Sequence, residues 1–257
     1  MNHRRQIMND VKIDKIGNIG TITLNRVDRH NSLVPSFLED LIRSINHMSK
    51  DESISVVMMR ANGKTFSTGG DVSAFYDHID DLESYSKSVV GSLNTLIMAM
   101  IDCEKPIVTA VHGMVTGGSI GLVLASDIVL LSTKATFTPY YATVGYSPDG
   151  GWIALLKEVI GQKRLSRILM TDSTITADEA LDWGMASYVV PHDDLYRKSE
   201  EIASRIAALK QGSIAKTKKL LWNKEAILSG LECEFSKFLE QIASTEGKLG
   251  MKDFLKK

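Results

Sequence analysis

Apolar and polar positions alternate through "KIGNIGTITLNR", where Ile16, Ile19, Thr21 and Thr23 face glycine and polar neighbours. That period of two, broken at a Gly-Asn pair, predicts a β-hairpin. The period changes in "SFLEDLIRSINHMSKDES", where Phe37, Leu38, Leu41, Ile42, Ile45 and Met48 recur at helical spacing. Pro35 stands near the start of that helix, where proline is tolerated. "ISVVMMRA", "KPIVTAVHG" and "DIVLLST" are apolar runs of strand length, apolar on both faces and therefore buried. Helical patterns over 82–103, 117–125, 150–158, 163–170 and 176–182 alternate with them. Such alternation predicts an α/β fold with mainly parallel strands between helical layers. Beyond "ASYVVPHDDL" only helical patterns remain. A linker near Pro191 thus separates a core, residues 1–192, from a helical region, residues 193–257.

Composition narrows the function classes. The 257 residues carry a formal net charge of −1, which leaves no electrostatic footprint for nucleic acid or an anionic membrane. Lys216, Lys218 and Lys219 read as one solvated helix face. Two cysteines, Cys103 and Cys233, make no disulfide framework and suit a reducing compartment. The longest apolar run, "IGLVLASDIVLL", is interrupted by Asp127 and is too short to span a bilayer. "MNHRRQIMND" lacks the apolar segment of a secretory signal. The expectation is a soluble cytoplasmic protein.

The candidate chemistry begins at "VHGMVTGGSIGLVLASDI". "GGSIG" fits the G-x-S-x-G elbow of α/β-hydrolases, with Ser119 as nucleophile and His192 downstream. The strand that should end at the serine stops several residues early, which weighs against it. A second reading is glycine that only permits close packing of a helix on a sheet. A third is a helix N-terminus aimed at an oxygen, where free N–H groups stabilise negative charge. "GKTFSTGGDVSAF" repeats the grammar of strand, glycine pair and helix start. Two such loops make a two-donor oxyanion hole, which needs no side-chain acid of its own.

In order along the chain, "ITLNRVDRHNSL", "GKTFSTGGDVSAF", "KPIVTAVHGMVTGGSIGLVLASDIVLLSTKATFTPY" and "GYSPDGGWIALLKEVIGQKRLSRILMTDSTITADEALDWGMASYVV" resemble the enoyl-CoA hydratase/isomerase (crotonase) family. "STEGKLGMKDFLKK" is similar to that family's closing helix. The resemblance implies a crotonase-like superhelix of ββα turns with a helical C-terminal trimerisation region. It implies an acyl-CoA thioester as substrate, with no metal or redox cofactor. It puts the oxyanion donors on the N–H groups of Gly70 and Gly118. Thr68, Asp71, Phe75, Gly117 and Tyr141 are the neighbouring expected substrate contacts; Asp71 also reads as a helix cap and Phe75 as core.

The resemblance also exposes a gap. Hydratases of the family use two glutamates, and the matching positions here are Gly121 and Tyr141. Neither supplies a carboxylate. One acid falls at a third catalytic position of the family: Asp149 in "GYSPDGGW", as in its dienoyl-CoA isomerases, ring-epoxide isomerases and chlorobenzoyl-CoA dehalogenase. Asp149 therefore reads as proton carrier or as helix N-cap, with Tyr141, Val144, Trp152 and Ile153 as an apolar wall around it. Asn94 is a further candidate to reach the pocket. His112 has no partner at ligand spacing for a metal.

The function expected is an acyl-CoA isomerase using Asp149, Gly70 and Gly118. Its rivals are a hydratase with another acid, a thioester hydrolase using Asp149, and a non-catalytic acyl-CoA binder. The tail carries Leu220, Leu221, Ile227, Leu228, Leu231, Phe235, Phe238, Leu239 and Ile242, apolar surface that must be covered. A homotrimer or homohexamer is expected, without nucleic-acid or membrane partners.

Overall fold

The computed structural model describes residues 10–256. The predicted hairpin is present: β1 (Val11–Ile16) and β2 (Ile19–Leu24) pair antiparallel across Gly17, whose φ of 59° suits glycine. Next come α1 (Pro35–Lys50), β3 (Val56–Ala61), α2 (Val72–Asp77) and α3 (Leu82–Asp102). Pro35 opens α1, where its missing N–H costs nothing. The middle of the chain holds β4 (Ile107–Val111), β5 (Met114–Thr116), a 3-10 turn at Gly117–Ser119, α4 (Ile120–Leu124), β6 (Ile128–Ser132), β7 (Thr136–Thr138) and α5 (Tyr141–Val144). It continues through α6 (Leu156–Ile160), α7 (Gln162–Thr171), β8 (Ile175–Thr176), α8 (Ala177–Asp182) and β9 (Tyr188–Val190). Four helices close it: α9 (Leu195–Ala207), α10 (Gln211–Leu221), α11 (Lys224–Ile242) and α12 (Thr245–Phe254).

The main sheet runs β1-β2-β3-β4-β6-β9, parallel from β2 onward. A smaller sheet, β5-β7-β8, stands beside it. Alternate residues of β3 serve two cores. Val57 and Met59 join the large cluster that contains α1 and α3, whereas Val56 and Met58 join a smaller one closed by Leu195, Ile202 and Ala203 of α9. Both faces are covered, which is why β3 reads as an unbroken apolar run. The later helices are docked separately, α11 on α3 and α12 on α5. No helix among the described residues is long and apolar enough to cross a membrane.

Two expectations change. The helix expected over 150–158 begins only at Leu156, because Gly150 and Gly151 take φ of 66° and 95° and the chain turns through residue 155. Lys218 is not on a solvated face. It is 4% exposed, and its ammonium pairs with Asp127 at 2.7 Å and donates to the Met100 and Lys105 carbonyls. The spacing of three lysines records which residues share a helix, not which of them another element covers.

Candidate active site

The two glycine loops are tied to each other. The Thr116 N–H donates to the Ser67 carbonyl at 3.1 Å, and the Phe66 N–H donates to the Met114 carbonyl at 3.0 Å. Ser119, fully buried, donates its hydroxyl to the Thr116 carbonyl at 2.7 Å and lies 3.1 Å from the Ser67 carbonyl. Gly69, at φ 70°, lies so close to the second loop that a Cβ there would be 2.5 Å from the Thr116 carbonyl oxygen. Ser119 thus staples the loops and is not among the residues of the cavity they border. His192 lies elsewhere, bonded to Ser132 and edge-on to His112. The nucleophile-elbow reading fails on both counts.

That cavity has a volume of about 570 Å³. Thr68, Gly70, Asp71, Phe75, Gly117, Gly118, Tyr141 and Asp149 all line it. Among the described residues the Gly70 N–H has no acceptor. Gly118 stands second in its 3-10 turn, where an N–H has no acceptor within the turn. Phe75 packs against Gly70, its ring edge 2.9 Å from where a Cβ would be.

Asp149 lines the cavity directly against Gly118. Its carboxylate oxygens lie 3.0 and 3.2 Å from the point a Cβ of residue 118 would occupy. This closeness follows from a main-chain contact: a Cβ on Gly150 would fall 2.4 Å from the Gly118 carbonyl oxygen. Position 121 is closed to any side chain, since a Cβ there would meet Ile97 at 2.5 Å and the Gly150 carbonyl oxygen at 2.6 Å. Tyr141 turns its hydroxyl to Asp149, donating to Oδ1 and lying 3.0 Å from the Asp149 carbonyl. Burial pushes the Asp149 carboxyl up to about 6, while the Tyr141 hydrogen bond works against that rise. Burial and the neighbouring Asp149 hold the Tyr141 phenol well above its ordinary value of 10, so it stays a donor.

The other cavity acids differ. Asp28 is exposed at the rim. Burial alone would raise the Asp71 carboxyl, but bonds from Arg29, Arg26 and Ser32 outweigh it and hold it below its ordinary value. Asp71 also caps α2 through the Ala74 N–H at 3.3 Å. Asp149 is the one buried cavity acid with no cationic partner among the described residues.

Several expected neighbours fall elsewhere. Tyr141 and Val144 line the cavity, but Trp152 is fully buried and donates its indole N–H to the Gly117 carbonyl at 2.9 Å. Ile153 is 41% exposed. Asn94 donates to the Leu231 carbonyl at 3.4 Å and does not line the cavity. Asp149 does not cap the following turn. Glu234 does: its carboxylate accepts from the N–H groups of Gly151, Ile153 and Ala154. Sequence reasoning missed Glu234, Phe238, Phe254 and Leu255, the last three of which line the cavity. The readable signal was an acid at position 234 on the apolar stripe of Leu231 and Phe238.

A sequence profile of the enoyl-CoA hydratase/isomerase family matches residues 14–257. The chain belongs to that family of enzymes. It is 28% identical over 206 residues to a trans-2-decenoyl-[acyl-carrier-protein] isomerase of Streptococcus mutans, covering 79% of this chain and 78% of that one. It is 28% identical over 228 residues to a short-chain-enoyl-CoA hydratase of Clostridium acetobutylicum, covering 88% and 84%. An enoyl-CoA hydratase/isomerase structure from Pseudoalteromonas atlantica superposes with a TM-score of 0.85 at 28% identity, over 96% of this chain and 97% of the other. The crotonase fold expected from the motifs is therefore the fold of this chain.

Proposed function

We propose that this enoyl-CoA hydratase/isomerase family member is an acyl-CoA isomerase with a single carboxylate as proton carrier. The observation that carries the reading is the seat of Asp149, buried against Gly118, bonded to Tyr141 and free of any cation among the described residues. Its proton affinity, raised by burial to about 6, suits a group that takes and returns a proton near neutral pH.

In the reaction proposed, the thioester oxygen lies between the Gly70 and Gly118 N–H groups. Asp149 removes a proton from the carbon next to the thioester carbonyl or from the vinylogous position. The electron pair of that C–H bond moves into the chain and charge accumulates on the thioester oxygen, where two fixed donors stabilise it. The protonated Asp149 gives the proton back at the other end of the dienolate, and the double bond has shifted with no net gain or loss of atoms. Tyr141 occupies Oδ1, which leaves Oδ2 as the oxygen that carries the proton. The closed position 121, where the family's hydratases keep one of their two glutamates, supports the one-carboxylate reading.

The deciding experiment is turnover of a panel of unsaturated acyl-CoAs in heavy water, read by mass spectrometry. A shifted double bond is the expected product, with deuterium incorporated wherever the proton on Asp149 exchanges with solvent before it is returned. Added water would make the chain a hydratase, free CoA a thioester hydrolase, and an unchanged substrate a binder.

The oligomer proposed is a trimer or dimer of trimers. Ile227, Leu231, Phe238 and Ile242 are buried within the chain, but Leu220 and Leu221 at the end of α10 are 87% and 73% exposed, with Leu228 close behind at 45%. Such side chains call for cover from another copy. Light scattering at micromolar concentration tests it, and a monomer would contradict it.

A further inference from the structure

The loop that carries Asp149 has no regular structure of its own. Residues 146–149 have none, and a turn runs from 150 to 155. Gly150 and Gly151 follow Asp149 with φ of 66° and 95°. A pair of glycines in left-handed conformations has more alternatives open to it than any other dipeptide. Something outside the loop must therefore hold it if Asp149 is to stay against Gly118.

The structure shows what does. Two turns into α11, Gly230 lies against the loop: a Cβ there would come within 2.8 Å of the Ala154 Cβ and 3.0 Å of its Cα. One helical turn further, Glu234 reaches back with a 5% exposed carboxylate. Its Oε2 accepts from the Gly151 N–H at 2.8 Å, and its Oε1 from the Ile153 and Ala154 N–H groups, the latter at 2.8 Å. The Gly151 carbonyl, meanwhile, accepts from Leu155 and Leu156 at 2.9 and 3.0 Å. The turn is thus pinned at both ends of its peptide groups, and three of its donors go to one side chain 80 or more residues away. Hydrogen bonds from N–H to an ionised carboxylate are about twice as strong as neutral ones.

We propose that Glu234 is a positioning residue for Asp149: by gripping the Gly151, Ile153 and Ala154 N–H groups it fixes the glycine turn that presses the Asp149 carboxylate against Gly118. The proposal rests on the reading of Asp149 as proton carrier. Glu234 does not line the cavity. It acts through main chain.

The charge has a defined neighbourhood. Burial raises the Glu234 carboxyl to about 7, the three N–H groups oppose that rise, and Asp149 adds to it. From the cavity side Asp149 and the Tyr141 phenol are the titratable groups that face it. From α3, Glu83 and Lys87 pair with each other in solvent, and Asp102 pairs with Lys224. The charged residues of α12 are exposed, as are the other charged residues of α11. Two buried carboxyls therefore share this corner with no cation between them among the described residues, and the Asp149 charge adds to the proton affinity that burial gives Glu234.

The test compares Glu234→Gln and Glu234→Asp with wild type and with Asp149→Asn, by deuterium exchange into acyl-CoA from pH 5 to 9 and by thermal melting. Glutamine keeps the length but removes the charge and turns an amide donor toward N–H groups. Aspartate keeps the charge but falls one methylene short. Both should lose about 10- to 100-fold in kcat, the scale of a misplaced reacting group, with KM changed by less than about threefold. In the glutamine variant the acid limb of the rate profile, set by Asp149, should stay in place, because Glu234 keeps its proton to higher pH than Asp149 does. Folded variants that melt earlier but keep the wild-type kcat would reduce Glu234 to a structural prop and overturn the proposal. Should neither variant fold, Gly230→Ala, which lifts α11 off Ala154 with Glu234 intact, decides by the same kcat criterion. Asp149→Asn exchanging at the wild-type rate would sink the proton-carrier reading itself and this proposal with it, an outcome distinct from an inactive Asp149→Asn beside fully active Glu234 variants.

Discussion

The Asp149 carboxylate fills the space that a side chain on Gly118 would need: its two oxygens lie 3.0 and 3.2 Å from the place a Cβ at 118 would take. The proposed oxyanion donor and the proposed proton carrier are therefore mounted on one contact. Gly118→Ala keeps the N–H but forces its methyl toward Asp149 and to within 2.7 Å of Leu93 Cδ2. We predict a loss of at least about tenfold in deuterium exchange with a fold intact by circular dichroism, since small misplacements of a reacting group are this costly. Wild-type exchange in Gly118→Ala would show that the contact has no role in the chemistry.

Asp149→Asn should abolish proton transfer by about 10²- to 10⁴-fold, the usual contribution of a general acid–base group. It should also change stability, with a sign set by burial. A carboxyl that binds its proton more tightly when folded favours the folded state at low pH and loses that advantage as pH rises through its folded value. For Asp149 the loss runs from its ordinary value of 3.8 to about 6. The asparagine variant does not undergo it. Its melting temperature relative to wild type should thus rise between about pH 4 and pH 7, by a difference on the order of 3 kcal/mol at full ionisation. A constant offset across that range would contradict the buried, unpaired state of this carboxyl.

Tyr141→Phe removes the one side-chain donor to Asp149 Oδ1 among the described residues. That hydrogen bond favours the carboxylate, so its loss should raise the Asp149 proton affinity and move the acid limb of exchange to higher pH. A buried group deprived of its partner costs about 1–3 kcal/mol, which a denaturant melt should register. An acid limb that stays in place would mean that Tyr141 does not act on Asp149 in solution.

Ser119→Ala should keep most activity and lose about 1 kcal/mol of stability, the ordinary contribution of a hydrogen bond. Its hydroxyl serves main-chain carbonyls of two loops and lies outside the cavity. Complete inactivity in a folded Ser119→Ala protein would restore the serine-nucleophile reading.

Lys218→Met leaves Asp127 with its Ile107 N–H and Trp222 partners but without its cation. Breaking a buried ion pair on one side costs about 3–5 kcal/mol. Exchange per folded molecule should be unaffected, because neither residue borders the cavity. A fall in kcat without a fall in stability would assign the pair a role in catalysis instead.

Local patterning determined the hairpin at Gly17, the apolar strands β3, β4 and β6, the amphipathic α1 and the order of helices after Pro191. It also marked the two glycine loops, because glycine clusters are written in adjacent residues, whereas Asp149 stood out only through the family resemblance and local pattern read it equally as a helix cap. These features depend on side-chain period and backbone sterics within a few positions, and folding had only to respect them. The helix expected at 150–158 shows the limit, for Gly150 and Gly151 unwind its first turn and Glu234, 83 residues after Gly151, takes up the N–H groups that result. Tertiary contact alone decided that Lys218 is buried on Asp127, that Ser119 staples two loops, and that α11 holds the seat of Asp149. Each of these is a polar group satisfied across a long stretch of chain. Hydrophobic period tells which face of an element is covered, whereas the partner of a buried polar group is set by which distant elements the packed fold brings within 3 Å of it.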